Sequence, residues 1–264
     1  MSVCGHWHPT PEPCTIVSLD GIDMVSSGAG LFGLTAPIDG WANSGISTGG
    51  PVPWETADGG IMGDTPFQGR SLTIEGDIEA ATHEEFAEAV EQLGSVLTYK
   101  RTAMLEVDET VHLGLVRQIE VTRVRPVQIT ALGPRHGIFT MQLEAADFLR
   151  TSVDENRVVV TTAGVDLRNI GNARADLLIE MKGYLSKPGL TWPGGSWNFD
   201  ASIGDGKMIQ SEMTPRKVYA PETGIHYRQY AKGTWLQLPP GVTRIKRVGT
   251  GAGTITAVWR SSWS

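Results

Sequence analysis

The stretch RSLTIEGDIEAATHEEFAEAVEQLGSVL, Arg70 to Leu97, carries both of the periodicities on which the fold turns. Over Arg70 to Asp77, Leu72, Ile74 and Gly76 alternate with Thr73 and Glu75, the period-two pattern of a strand with one buried face. From Thr82 the period changes, and Phe86, Val90, Leu93 and Leu97 fall on one face of a helix over 82–97. Thr82 with Glu85 three residues on makes a capping box, in which hydroxyl and carboxylate take up free amides of the first turn. Gly94 is expected to end the regular helix. Glu84, Glu88 and Glu91 lie on the opposite face and read as a solvated surface over a core stripe rather than as a ligand site.

Working outward, this is the only helix the sequence predicts. On its N-terminal side, Thr15 to Leu19 and Ile22 to Val25 flank Asp20-Gly21, a hairpin signal. Residues 26–69 are dominated by Gly, Pro and Ser and read as a long irregular loop or extended arm. On its C-terminal side, strands are predicted at Ala103 to Val107, Val111 to Val116, Gln118 to Val124, Val127 to Ala131 and Ile138 to Ala145. The polar run Thr151 to Asn156 suggests a boundary, giving domains over 1–152 and 153–264. Beyond it only short strands are predicted: Val158 to Thr162, Asp176 to Met181, Ser196 to Ser202, Lys207 to Met213, Ile225 to Tyr230, Arg244 to Val248 and Thr254 to Arg260. Gly and Pro turns separate them at the spacing of an antiparallel sandwich or jelly roll. The expected fold class is mainly β: a β-sandwich-like α+β first domain with one packed helix, then an all-β second domain.

Composition limits what such a chain does. With 264 residues, 40% hydrophobic and 19% charged, it can bury two cores. The net charge of −7 is unevenly spread: residues 1–152 hold 8 Lys and Arg against 20 Asp and Glu, and residues 153–264 hold 14 against 9. An acidic half repels phosphate, and the mildly basic half has no Lys/Arg run interleaved with aromatics, so stable nucleic-acid binding is not expected. No apolar run approaches the roughly 18 residues of a membrane span, and Met1 to Thr10 lacks the pattern of a secretion signal, so neither membrane insertion nor export is expected. The 2 cysteines, Cys4 and Cys14, do not make a disulfide framework.

Several motifs invite a chemical reading. Cys4, His6, His8 and Cys14 are donors that zinc selects, but their spacing is atypical and a frayed terminus is the commoner outcome. Gly28, Gly30 and Gly33 match the spacing of a dinucleotide loop, yet Pro37 and Asp39-Gly40 leave no room for the helix whose amides would bind phosphate. Gly249, Gly251 and Gly253 read as a hairpin turn. His83, His112, His136 and His226 are isolated, and Asp200 with Asp205 resembles a glycosidase pair only in spacing. No catalytic residue, cofactor or enzyme activity is therefore expected. Trp192 and Trp197 flank Pro193-Gly194-Gly195, a turn that could show two aromatic faces to a sugar ring; filling the space between two sheets is the competing role.

Taken in order, Arg70 to Gly76, the helix over 82–97 and the closing strand FTMQLEAADF from Phe139 resemble the distal tail proteins of long-tailed siphophages. The likeness continues through Asn169-Ile-Gly171-Asn172, the hairpin from Gly206 to Tyr219 with Arg216, and WLQLPPG from Trp235 to Gly241. The stretch to Pro13 and the Gly-rich arm depart from the pattern. The resemblance implies a non-enzymatic structural protein of the virion whose first domain closes a hexameric ring, with a galectin-like sandwich second. Implied partners are other copies of the chain, the tail-tube protein and the proteins of the hub or tip. The implied location is the distal end of the tail, after assembly in the host cytoplasm, with DNA passing through an acidic lumen without binding. The alternative, from another class, is a carbohydrate- or host-receptor-binding module built on the same sandwich.

Overall fold

A computed structural model describes residues 15–26, 30–42, 52–53, 60–61, 69–98, 101–110 and 114–264. The chain divides into two compact units, Met1–Arg150 with Ser264, and Thr151–Trp263.

In the first unit, β1 (Ile16–Leu19) and β2 (Ile22–Val25) form the hairpin expected from Asp20-Gly21. Both turn residues have positive φ, 50° and 86°, the geometry whose twist matches that of the flanking strands. A short β3 (Phe32–Leu34) runs parallel to β2, and β4 (Val52–Pro53) pairs with β5 (Gly60–Ile61) in a separate two-residue ladder. Then come β6 (Arg70–Glu79), α1 (His83–Ser95), β7 (Thr102–Asp108), β8 (Val116–Arg123), β9 (Gln128–Ala131) and β10 (His136–Ala145). Hydrogen bonding runs β8-β7-β1-β2-β3-β6-β10, and β8 pairs with β10 through Leu143 with Arg123 and Glu144 with Thr122. These seven strands close on themselves, and β9 extends the wall from β10. Closure removes the free edges that would otherwise template aggregation. The fold is thus mainly β with one packed α-helix among the described residues, as expected, and the strands of the first unit close into a barrel.

The alternation in β6 sets the barrel's inside. Leu72, Ile74 and Ile78 are fully buried, and they meet Met141 and Leu143 of β10 and Leu105 of β7 in one core. Gly76 occupies a buried position of the same alternation because the Phe139 ring fills its place: a Cβ there would lie 2.4 Å from Phe139 Cζ and 2.2 Å from the Gly33 carbonyl oxygen. The capping box forms with a shift. Thr82 Oγ1 accepts from the Glu85 amide at 3.1 Å, while the Glu85 carboxylate accepts from the Ala81 amide at 2.6 Å, one residue earlier than in the simplest box. Phe86, Ala89 and Leu93 are the buried residues of α1, and Val90 is only half-buried. Gly94 does not end the helix, which continues to Ser95 and is capped at Val96.

The second unit stacks two antiparallel sheets. β11 (Arg150–Ser152) leads in from the first unit. One sheet runs in the order β12 (Asn156–Val159), β22 (Thr254–Trp259), β14 (Leu177–Lys182), β18 (Met208–Glu212) and β19 (Lys217–Tyr219). The other runs β13 (Val165–Asn169), β21 (Gly241–Thr250), β15 (Leu185–Trp192), β16 (Gly195–Phe199) and β20 (Ala231–Gly233), with β17 (Ser202–Ile203) on β15. β23 (Ser262–Trp263) follows the last long strand. Leu177, Ile179 and Ile255 of one sheet pack against Leu190, Trp197 and Ile245 of the other, the interdigitated core of a sandwich.

The strand expectations here needed correction, and β13 and β20 were not among them. Ile225 to Tyr230 is not a strand: Arg228–Tyr230 is a single 3-10 turn, and only His226 bridges to Tyr219. β15 was missed because Pro188 and Gly189 break its pattern; a register shift between Ser186 and Gly189, with Lys187 at φ 47°, absorbs the proline in a bulge. In the first unit, Gly114 sits in a turn at φ 66°, so β8 starts only at Val116; the rest of the strand expected from Val111 lies largely outside the described residues.

Candidate functional site

Three places gather polar chemistry. The first lies in the barrel unit, where Arg70, Arg117 and Arg150 are all buried around Trp41. Arg70 donates from Nε to the Phe148 carbonyl at 2.6 Å and from Nη1 to the carbonyls of Gly40 and Trp41 at 3.0 Å. Arg150 donates to the Trp41 carbonyl at 2.7 Å, and its guanidinium lies 5.5 Å from the Trp41 ring centre, with that of Arg117 at 5.9 Å. Glu109 is the carboxylate inside the group: it accepts from Arg117 Nε at 2.6 Å and from Trp41 Nε1 at 3.3 Å. Burial, followed by the neighbouring Arg117 and Arg70, pulls the Arg150 pKa down to about 10, so it stays charged at neutral pH. These bonds to backbone carbonyls pin residues 40–41 to the barrel, and the arrangement is structural.

The second place is the outer face of β6 and β10. Asp77, Glu79 and His136 bring their ligand atoms within 4.8 Å of one another, with His136 directly across the ladder from Glu79. Two carboxylates and an imidazole are a donor set that a divalent transition metal accepts. They are the one such group among the described residues. His136 looks isolated in the sequence because its partners lie 57 and 59 positions away and meet it only through strand register.

The third is a cleft of about 400 Å³ in the sandwich unit, lined among others by Arg174, Trp192, Trp235, Gln237, Thr243 and Arg244. The two tryptophans singled out in the sequence part company here. Trp197 is 0% exposed and packs edge-on against Trp235 with ring centres 5.9 Å apart, so it serves the core and offers no face to a sugar. Trp192, at the end of β15, is half-buried and reaches the cleft. Trp235, from a loop 38 residues after Trp197, takes the second position, and no local pattern around it signals this.

The remaining candidates are accounted for locally. Asp200 accepts from Lys232 at 2.5 Å and from Lys187 at 3.1 Å, which together draw its pKa below the ordinary carboxylate range; Asp205 accepts from the Gly206 amide in a turn. Neither is placed as half of a glycosidase pair. Gly249, near the end of β21, has φ 89°, and Gly251, in the turn before β22, has φ 116°. Cys4, His6, His8 and Cys14 lie outside the described residues, as do Gly28 and His112. So does Gly45-Ile-Ser47-Thr-Gly49, which has the spacing of a nucleophile elbow and lies in a Gly-rich run of the sequence.

A seven-stranded barrel with one packed helix, followed in the chain by a two-sheet sandwich, defines a recognisable class of fold. No protein-family model matches the chain, and no curated protein matches it. Among solved structures, it is similar to the crystal structure of the SPP1 Dit (gp 19.1) protein, described as a paradigm of the hub adsorption apparatus in phages that infect Gram-positive bacteria. The TM-score is 0.66 at 14% identity, over 95% of this chain and 99% of that one. It also matches structures of the phage p2 baseplate in its activated conformation, with Ca and with Sr. Both give a TM-score of 0.46 at 9% identity over 93% of this chain and 97% of the other, too low to carry argument. The likeness establishes the fold.

Proposed function

We propose that this protein is a structural component of a bacteriophage tail, a distal tail protein that closes a ring at the end of the tail tube and joins it to the hub or tip. The observation that carries the reading is the match along nearly the whole of both chains, 95% of this one and 99% of the SPP1 protein. A fold shared by both units in the same sequence order is hard to reach by way of unrelated modules.

The physical properties of the chain support it. The barrel has no free edge in its main ring of strands, so it can pack side by side with copies of itself without polymerising by strand addition. The first half carries the acidic excess, and Glu84, Glu88 and Glu91 are all exposed on α1. In a ring of six subunits with such carboxylates toward the channel, DNA phosphates pass without sticking. The protein then sits at the distal end of the virion tail after assembly in the host cytoplasm. It works by shape and association with the tube and hub proteins, not by bond-making.

Native mass spectrometry of the full chain tests this. A closed species of six 28.5 kDa chains, seen as rings in electron micrographs with an outer diameter matching a tail tube, is expected. A protein that stays monomeric at high concentration and does not associate with tail-tube protein overturns the reading.

A further inference from the structure

The sandwich cleft has features that neither its core nor ring assembly requires. Its walls come from the β15–β16 hairpin, the loop before β14, the loop between β20 and β21, and β21 itself. At about 400 Å³ it falls in the range of small-ligand sites.

Both tryptophans are fixed in place. The Trp192 indole folds back over Gly195, the residue it pairs with in the ladder; a Cβ on Gly195 would lie 3.0 Å from Trp192 Cζ2 and 3.1 Å from Cε2. The turn Pro193-Gly194-Gly195 thus does more than reverse the chain, since the missing side chain at 195 lets the ring lie down. Trp235 packs at 64° against the buried Trp197, with ring centres 5.9 Å apart, and the Arg228 guanidinium covers one of its faces, 4.6 Å from the ring centre. Rings held in this way lose little rotamer freedom when a ligand stacks on them. Among the described residues, the Trp192 indole N–H has no acceptor in the protein.

The polar groups around the rings are cationic. Arg174 is exposed and uses Nη1 on the Gln237 side-chain oxygen at 3.3 Å. Arg244 donates from Nη1 to Asp166 at 3.0 Å and from Nη2 to the Ala163 carbonyl at 3.1 Å. Each guanidinium has five N–H donors, so both keep donors to spare; Arg244 is paired with the Asp166 carboxylate, and the bond of Arg174 is to a neutral amide. The sandwich half as a whole has 14 basic residues against 9 acidic. Flat indole faces suit the C–H faces of a pyranose ring, and forked guanidinium donors suit a carboxylate or phosphate. A bare nucleic acid strand would need a longer basic groove with several stacking rings.

We propose that the cleft between Trp192 and Trp235 binds a saccharide that carries an anionic group, with the ring against the indoles and the anion on Arg174 and Arg244. This is independent of the ring reading, because it concerns the sandwich unit alone, and ring formation can be measured on the same samples.

The test is titration calorimetry on the full-length chain with four probes: a glucuronate-containing oligosaccharide, a sugar-phosphate polymer, a neutral maltohexaose and a single-stranded oligonucleotide. Binding of the uronate or the phosphosaccharide is expected; which of the two binds tells the source of the anion. That binding should weaken at least tenfold in Trp192→Ala and in Arg174→Glu, weaken with added salt, and survive in Trp192→Phe. Arg174→Glu alters an exposed side chain, so it reports on the site even if Trp192→Ala fails to fold. No binding of either anionic saccharide overturns the proposal. So does equal binding of maltohexaose that Arg174→Glu leaves unchanged, or binding of the oligonucleotide alone.

Discussion

Replacing Glu109 by Gln probes the charge balance on which the barrel unit is built. Arg70, Arg117 and Arg150 have relative exposures of 5%, 7% and 4%, and the Glu109 side chain is 15% exposed against 8% for its ion-pair partner Arg117. Gln keeps the shape and one acceptor oxygen, so packing hardly changes. What disappears is the negative charge among three buried guanidinium groups, with Asp147 acting on Arg70 from further off. Breaking a buried pair by removing one partner costs about 3–5 kcal/mol, because the remaining charge has lost its compensation. Against a typical domain stability of about 5–15 kcal/mol that is a large fraction. With a urea m-value of about 1–3 kcal/mol/M, the midpoint of the barrel unit's transition should fall by more than about 1 M, followed by circular dichroism and tryptophan fluorescence. Adding Arg117→Met should recover much of the loss, since it removes the excess charge as well as the pair. A midpoint shift below about 0.3 M for Glu109→Gln, or a double variant less stable than the single one, would refute the idea that this carboxylate balances the cluster.

Three further outcomes follow from the fold. Gly76→Ala forces a methyl against the Gly33 carbonyl and the Phe139 ring, so a loss of about 3 kcal/mol and a barrel that opens between β3 and β6 are expected by thermal melting and amide exchange. Thr82→Ala removes the hydroxyl that caps α1 and should cost about 1 kcal/mol in denaturant unfolding; no change would mean that the Glu85 carboxylate suffices alone. The Asp200 carboxyl, held by hydrogen bonds from Lys232 and Lys187, should titrate below the ordinary aspartate range by NMR and move back toward it in Lys232→Met. Because its folded pKa is depressed, its contribution to stability is present above the unfolded pKa and fades as the pH drops through the folded one.

Legible along the chain were most of the patterns that repeat within a few residues. The alternation of Leu72, Ile74 and Gly76, the capping pair Thr82 and Glu85, and the Asp20-Gly21 turn each report a local geometry, and each formed where it was read. The same holds for strands such as Thr254–Trp259, whose pattern is unbroken. Where a local signal was interrupted, as by Pro188 in β15, the strand survived because neighbours β16 and β21 hold it, and the sequence could not show that.

Only the tertiary structure decided what depends on register and closure. Whether the strands of the first unit close into a barrel rests on two residue pairs between β8 and β10, and no composition or periodicity encodes them. The division of the tryptophans into a core residue, Trp197, and cleft residues, Trp192 and Trp235, follows from which face of a twisted sheet each occupies and from a loop that returns from 38 positions away. Side-chain type fixes what a residue can do; which partners come within a few ångströms is fixed by long-range packing, and function sits at that second level.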